Sequence, residues 1–342
     1  MIKLIEQAAF CAKQLPKRVV FPDALDKRVL CAAHYLLEKG YAIPILLANP
    51  FELRHYCHKN QIKFDALTVI DPAHSPLLDR FVASQMLIQA DQSPENLKKQ
   101  LAEPLWFGAM MLYQKEADFC IGGNLSSTSA LLRAAIKIIG LKEGIRTVSS
   151  IFFMVPPNNE NVLGFADCVV VPAPTVEQLA DIALATAESF ERFTGEIPKV
   201  AMLSFSTKGS AKHGDAELIR KATDLVKLRD PSLCIDGELQ FDAAFVPEVA
   251  AQKIPNGPLG GCANVFIFPD LSAGNIGYKI AQRMGNYAAI GPIIQGLKYS
   301  MHDLSRGCSI DDIIQTVLVA IKMAGTHPAK FDEHVVGNSS CI

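Results

Sequence analysis

An α/β fold with open, mostly parallel sheets is predicted by the rhythm of the chain. Short apolar runs alternate with longer stretches of helical spacing, and polar, glycine-containing loops follow several of the runs. Alternation of this kind belongs to sheets that carry helices on both faces. The chain has 342 residues, enough for two domains or one large one with a full apolar core.

The elements follow in order. Near the start, Ile2, Ile5, Ala9 and Cys11/Ala12 give a short amphipathic helix that Pro16 ends. We read it as a first helix packed on the fold rather than as a sorting or encapsulation tag. Residues 18–24 (RVVFPDA) are a strand and 26–40 (DKRVLCAAHYLLEKG) a helix closed by glycine. Residues 42–50 and 67–72 are further strands, with a helical stretch from Phe51 between them and helices expected at 76–91 and 94–115. Strand, glycine loop and serine-capped helix follow at 117–124 and 126–140. Past about residue 145 a second run begins. Its strands are SSIFFMVP, DCVVVPAP, KVAMLSFS, LCIDGELQ and ANVFIFPD, with helices at 175–193 and 214–229, and another reaching 252. A glycine turn opening a helix at GNIGYKIAQRMG, then AAIGPIIQG, leads to the last helix at 311–325. No low-complexity linker and no repeat of fixed period divides the halves.

Composition excludes several classes of function. Net charge is −2, so no global basic field speaks for nucleic acid or an anionic membrane, and any anionic substrate must be met by local charge. Apolar stretches break well before the ~18 residues a membrane span needs. Nine scattered cysteines, never C-x-x-C, form neither a disulfide framework nor a zinc site, and fit a reducing cytoplasm. Histidines and cysteines show no ligand spacing, so no metal and no cofactor is expected.

Four loops carry residues suited to chemistry. In GGNLSST (122–128) the glycines allow close backbone approach, Ser126, Ser127 and Thr128 offer hydroxyls at a helix start, and Arg133 lies further along that helix. An N-cap explains the same pattern without function. SFSTKGSAKHGD (204–215) resembles a phosphate loop, but its lysine precedes the glycine, which argues against a nucleotide hydrolase. Lys208 in it either meets a phosphoryl group or belongs to a solvated connection. In SAGNIGYKIAQR (272–283), Gly274 and Gly277 are only a fragment of a dinucleotide fingerprint; Asn275, Tyr278 and Lys279 are candidate substrate contacts. Last comes SMHDLSRGCSIDD (300–312). Ser309 and Asp312 fit a capping box, which leaves Ser305 and Arg306 without a helical task. From the pattern alone the chain is a two-lobed α/β enzyme with an anionic small-molecule substrate.

Taken together, the motifs resemble the phosphate acetyltransferases over 18–325. They are ADFCIGGNLSSTSALLRAAIKIIG, TVSSIFFM, VAMLSFSTKGS, IDGELQFDAAFVPEVAAQK, VFIFPDLSAGNIGYKIAQR, IGPIIQGL and DLSRGCSIDDII, in that order. VVFPDALDKRVL, GGNLSST and MHDLSRGCS are similar to the ethanolamine-utilisation branch. The resemblance implies two α/β/α lobes around a cleft, as in isocitrate and isopropylmalate dehydrogenases. Residues 1–145 with 295–342 would form domain I and 146–294 domain II, in a cytoplasmic homodimer. It implies the reversible reaction acetyl-CoA + phosphate = acetyl phosphate + CoA, by direct transfer in a ternary complex. Ethanolamine catabolism as the setting adds enclosure in a bacterial microcompartment as a hypothesis. Asp312 would be the base for the CoA thiol and Ser305 the donor to the transition state. Arg306 and Arg133 would hold phosphate or CoA, beside Ser127 and Thr128, and Cys308 need form no acyl-enzyme. The chain departs from the better-known branch in two places: Gly122–Thr128 replaces S-G-A-x-H-T-T, and MLIQADQSPEN (86–96) lacks an arginine. Alternatives are a butyryl-preferring relative, a two-lobed dehydrogenase, for which no aspartate cluster is evident, and a silent assembly component.

Overall fold

The computed structural model describes residues 3–62, 66–88 and 92–325. The first part of the chain runs α1 (Lys3–Gln14), β1 (Lys17–Phe21), α2 (Lys27–Glu38), β2 (Ala42–Leu47), α3 (Pro50–Asn60) and β3 (Thr68–Ile70). Then come α4 (Leu77–Met86), α5 (Pro94–Leu101), α6 (Pro104–Tyr113), β4 (Phe119–Gly122) and α7 (Thr128–Ala134), which continues as one π turn over Ala135–Ile139. The second part holds β5 (Ser149–Val155), β6 (Leu163–Ala166), α8 (Val176–Thr194), β7 (Lys199–Leu203), α9 (Gly214–Arg229) and β8 (Cys234–Leu239). It continues with α10 (Phe241–Phe245), α11 (Pro247–Lys253), β9 (Val265–Ile267), α12 (Leu271–Met284) and β10 (Ala288–Gln295). Last among the described residues come β11 (Met301–Asp303) and α13 (Ile310–Gly325).

Two sheets form. One is parallel throughout, in the order β11-β4-β1-β2-β3. The other runs β10-β5-β6-β9-β7-β8, antiparallel at β10/β5 and β5/β6 and parallel beyond. The α/β class with mostly parallel sheets is therefore what the alternation predicted. After β10 the chain leaves the second sheet and adds β11 to the edge of the first, where it pairs with β4. That return carries residues 303–312 to the strand end at which the 122–128 loop begins.

Helix α13 secures the return. Its buried Ile313, Val317, Val319 and Ile321 join one apolar cluster with Phe21, Leu30 and Leu36 of the first sheet's layer and Phe153, Phe190 and Phe193 of the second's. Each large apolar side chain buried in this way contributes roughly 1.5–3 kcal/mol. Lys322 tucks its stem between α1 and α8, its ammonium donating to Gln7 Oε1 at 3.1 Å and lying 5.1 Å from the Phe193 ring centroid.

Several local expectations are corrected. The helix expected at 94–115 is broken into α5 and α6, because Pro104 cannot continue a helix but suits its first turn. DCVVVPAP is not a strand. Asp167 turns the chain there, its carboxylate accepting N–H bonds from Val169, Val170 and Val171, so those donors are lost to a ladder. The strand lies just upstream, at β6. Helix α12 begins at Leu271, capped by Asp270, so Gly274 and Gly277 sit inside it rather than in a turn before it. A Cβ at Gly274 would collide with the Asp167 carbonyl oxygen, so this glycine serves close helix packing, not phosphate approach. Ile2, part of the stretch at 86–96 and the tail from 326 lie outside the described residues.

Candidate active site

The loop after β4 is built around a buried carboxylate. Asp23 Oδ2 accepts N–H bonds from Gly123, Leu125 and Ser126 at 2.9, 3.2 and 3.0 Å, and its Oδ1 accepts the Ser126 hydroxyl at 2.5 Å. Gly123 takes φ +98, and a Cβ there would collide with Asp303 Oδ1, so only glycine fits. Ser127 caps α7, its Oγ accepting the Ala130 N–H at 3.2 Å. The following residue, Thr128, donates its hydroxyl to Asp303 Oδ2 at 2.6 Å. Both Ser127 and Thr128 remain partly exposed.

The strip 303–312 is laid beside this loop by the β11–β4 pairing and by the Leu304 N–H donating to the Gly122 carbonyl at 2.7 Å. Arg28, on α2, then ties the pieces together. Its guanidinium grips Asp26 through Nε and Nη2 and donates from Nη1 to the carbonyls of Arg306 and Cys308 at 2.7 and 2.8 Å. Nη2 also reaches the Asn124 carbonyl at 3.4 Å, and the Asn124 side chain donates back to Asp26 Oδ2 at 3.1 Å. Burial pushes the Asp26 carboxyl upward, but the bonds from Arg28 and Asn124 outweigh it and hold it below the usual range. One fork thus fixes α2, the glycine loop and the strip, a task that arginine's planar geometry suits.

What the strip presents outward is short and polar. Ser305 is exposed, and among the described residues its Oγ accepts only the Gly307 N–H, at 3.3 Å. The side chains of Arg306 and of Arg133, at the end of α7, are exposed and have no hydrogen-bond or ion-pair partner among the described residues. Asp312 is exposed and completes the predicted capping box: its Oδ2 accepts the Ser309 N–H at 2.8 Å while its own N–H donates to Ser309 Oγ at 3.1 Å. Two neighbours are set aside by burial. The Cys308 thiol is pushed up by desolvation, against the pull of Arg28, so it stays protonated. His302 is pushed down to about 4 by burial and is neutral.

The remaining candidates lie elsewhere. Asn275 donates to the Cys168 carbonyl at 3.1 Å, Tyr278 stacks on Phe152 at 4.3 Å, and the Lys279 ammonium lies 5.8 Å from the Tyr278 ring centroid. Among the described residues, no hydrogen bond or ion pair joins these three to the strip or to the 122–128 loop. Lys208 pairs with Asp236 and donates to the Gly237 carbonyl at 3.1 Å. Glu238 fills the rest of that loop, accepting the Ser206 hydroxyl at 2.9 Å and the Gly209 N–H at 2.8 Å. An anion nest occupied by the chain's own carboxylate is a structural connection. No group of three or more His, Cys, Asp or Glu that could hold a metal occurs among the described residues.

Sequence reasoning assigned no role to Asp23, Asp26, Arg28, Asn124 or Asp303. Asp26 was detectable as the cap before KRVL. Asp23, Asn124 and Asp303 carry no local signal, because their partners are about 100 to 175 residues away. Arg28, though paired with nearby Asp26, gives no hint of the carbonyls it reaches up to 280 residues on.

Comparison with known proteins points to one family. The family model described as phosphate acetyl/butaryl transferase matches residues 3–321. The phosphate acetyltransferase of Thermoanaerobacterium thermosaccharolyticum is 41% identical over 322 residues, which cover 92% of this chain and 98% of that protein. Two solved structures superpose closely. A phosphotransacetylase from Streptococcus pyogenes gives a TM-score of 0.89 at 40% identity, covering 94% of this chain and 98% of its own. The EutD phosphotransacetylase from Staphylococcus aureus gives 0.85 at 39%, covering 94% and 99%. The match spans nearly the whole chain, and the chain belongs to the phosphate acetyltransferase family.

Proposed function

We propose that this phosphate acetyltransferase moves acetyl directly between CoA and phosphate in a ternary complex, with Asp312 as the base. In the direction of thioester formation, the CoA thiol gives its proton to Asp312 and its sulfur attacks the carbonyl carbon of acetyl phosphate. The bond from that carbon to the phosphate oxygen then breaks, and phosphate leaves. In reverse, a phosphate oxygen attacks the thioester, the C–S bond breaks and the thiolate recovers the proton. An ordinary thiol, near ~8.5, is mostly protonated at neutral pH, so a carboxylate acceptor is useful. Ser305 donates to the oxyanion that develops, and Arg306 and Arg133 hold phosphate or CoA. Ser127 and Thr128 line the same mouth, and Asn275, Tyr278 and Lys279 would meet the more distant part of CoA from across the cleft between two lobes.

One observation carries the reading: an exposed serine, an exposed arginine and a carboxylate are held on a single rigid strip beside a glycine loop and a helix start. The protonated Cys308 supports direct transfer over an acyl-enzyme. Ethanolamine breakdown in the cytoplasm, with enclosure in a microcompartment as its further extension, is supported by the GGNLSST and MHDLSRGCS wording and by the likeness to the EutD structure.

A thiol-release assay with purified protein tests the proposal. CoA is expected to appear from acetyl-CoA only when phosphate is present, and more slowly from butyryl-CoA. Release or exchange of CoA without phosphate would instead indicate an acyl-enzyme, and a butyryl preference would move the chain to the butyryltransferase side of the family.

A further inference from the structure

Asp303 is 2% exposed, yet it is a carboxylate with one oxygen unsatisfied. Its Oδ2 accepts the Thr128 hydroxyl at 2.6 Å, while Oδ1 lies buried against the Gly123 backbone with no hydrogen-bond partner among the described residues. The groups that face it are few. Thr128 comes from α7, and the Asp23 carboxylate comes from the segment between β1 and α2. The 122–124 turn offers backbone, and His302 alternates to the other side of β11. The Leu304 N–H, which donates to the Gly122 carbonyl, also lies beside the carboxyl and favours its charged form. Among the described residues no cation answers the charge.

We propose that Asp303 is a positioning residue that sets the polarity of the Thr128 hydroxyl and, through it, the enzyme's hold on inorganic phosphate. The inference rests on the reading that Thr128 touches phosphate. A threonine hydroxyl has one hydrogen to give. While Asp303 is ionised it claims that hydrogen, and Thr128 turns only lone pairs toward the substrate. The unprotonated oxygens of phosphate, themselves acceptors, then gain nothing from it. When Asp303 carries a proton it donates to Thr128 instead, and the threonine hydrogen is free to point outward at the anion. Burial, reinforced by the Asp23 charge, raises Asp303 to about 6, so the changeover falls within the range in which the enzyme can be assayed. Thr128 therefore donates to phosphate below about pH 6 and ceases to do so above it.

The test is the KM for phosphate at saturating acetyl-CoA, from about pH 5 to 8.5, in wild type, Thr128→Val and Asp303→Asn. Phosphate's own ionisation is common to all three and cancels in ratios. The Thr128→Val to wild-type ratio is expected to be about ten at pH 5, the worth of one hydrogen bond to a charged group, and to fall toward one above pH 7. The carboxamide introduced by Asp303→Asn can donate an N–H to Thr128 at every pH. That variant should therefore keep the low KM above pH 7, with kcat changed far less. Thr128→Ser should behave as wild type. A Thr128→Val penalty of the same size at every pH would overturn the role of Asp303 while leaving Thr128 a phosphate ligand. No penalty at any pH would overturn the substrate contact itself, and the inference with it. Should Asp303→Asn fail to fold, the pH course of the Thr128→Val ratio decides alone.

Discussion

Asp312 has two tasks at the scale of a single residue. It closes the N-terminus of α13 by accepting the Ser309 N–H, and it is the carboxylate proposed to take the thiol proton. The two tasks can be separated chemically. Replacing it with asparagine keeps an oxygen able to accept the same N–H but removes the ability to take a proton. Asp312→Asn is therefore expected to melt within about 2 °C of wild type, since the cap is worth only about 1 kcal/mol and is largely retained. Its kcat should fall about 100-fold or more, the usual contribution of a positioned base. Near-normal turnover in a folded Asp312→Asn, measured by thiol release, would remove Asp312 from the mechanism. The capping role was legible in the sequence because a capping box is local: its partners are three positions apart, and the helix that follows is strongly apolar on one side. The base role, by contrast, is implied by the family resemblance alone.

Among elements, the decisive contact is one guanidinium. Arg28 reaches from α2 to carbonyls of the strip and of the glycine loop, and it compensates the buried Asp26. Arg28→Met leaves Asp26 without its cation and the Arg306 and Cys308 carbonyls without their donor. We expect a loss of about 2 kcal/mol, less than the roughly 3–5 kcal/mol of a fully buried broken pair because Arg28 is about a third exposed, together with a clear fall in kcat. Arg28→Lys should recover little of either, since a single ammonium cannot span acceptors that the planar fork reaches together. Denaturant unfolding and steady-state rates on both variants check this; full recovery by lysine would show that charge alone matters. This wiring between elements was not legible in the sequence. Within DKRVLCAAHYLLEKG, Arg28 looks like any charge on the open face of an amphipathic helix, and its partner carbonyls have no side-chain identity to read.

Over the whole molecule, α12 presents Ile276, Ile280 and Met284 to solvent, at 58, 53 and 82% exposure, spaced so that they form one stripe. The opposite side of the same helix packs on the second sheet through Gly274 and Tyr278. The family resemblance implies a homodimer, and the stripe is the face we expect two copies to share. Sedimentation of wild type should give twice the chain mass of 37.2 kDa, and Ile280→Lys with Met284→Glu should shift the population toward monomer. A wild-type monomer would refute the homodimer, and an unchanged dimer in the double variant would place its interface elsewhere.

Short-range patterns were enough to read the α/β class, the order of most elements, the capping of α7 and α13, and the family. Apolar periodicity, caps within three residues and motif wording are all written locally in the chain. The reading went astray where one residue overrode the local pattern, at Pro104 inside an apparent long helix and at Asp167 before an apolar run that turns instead of pairing. Folding was needed to reveal that Lys208 and Glu238 satisfy their own loop, that Gly274 serves packing, and that Asp303 meets Thr128 across 175 positions of chain. A buried carboxylate and an exposed one are the same letter in a sequence. Which of them is neutralised, gripped or left open depends on groups brought near by the return of β11 and α13 to the first sheet, and that return is a property of the fold.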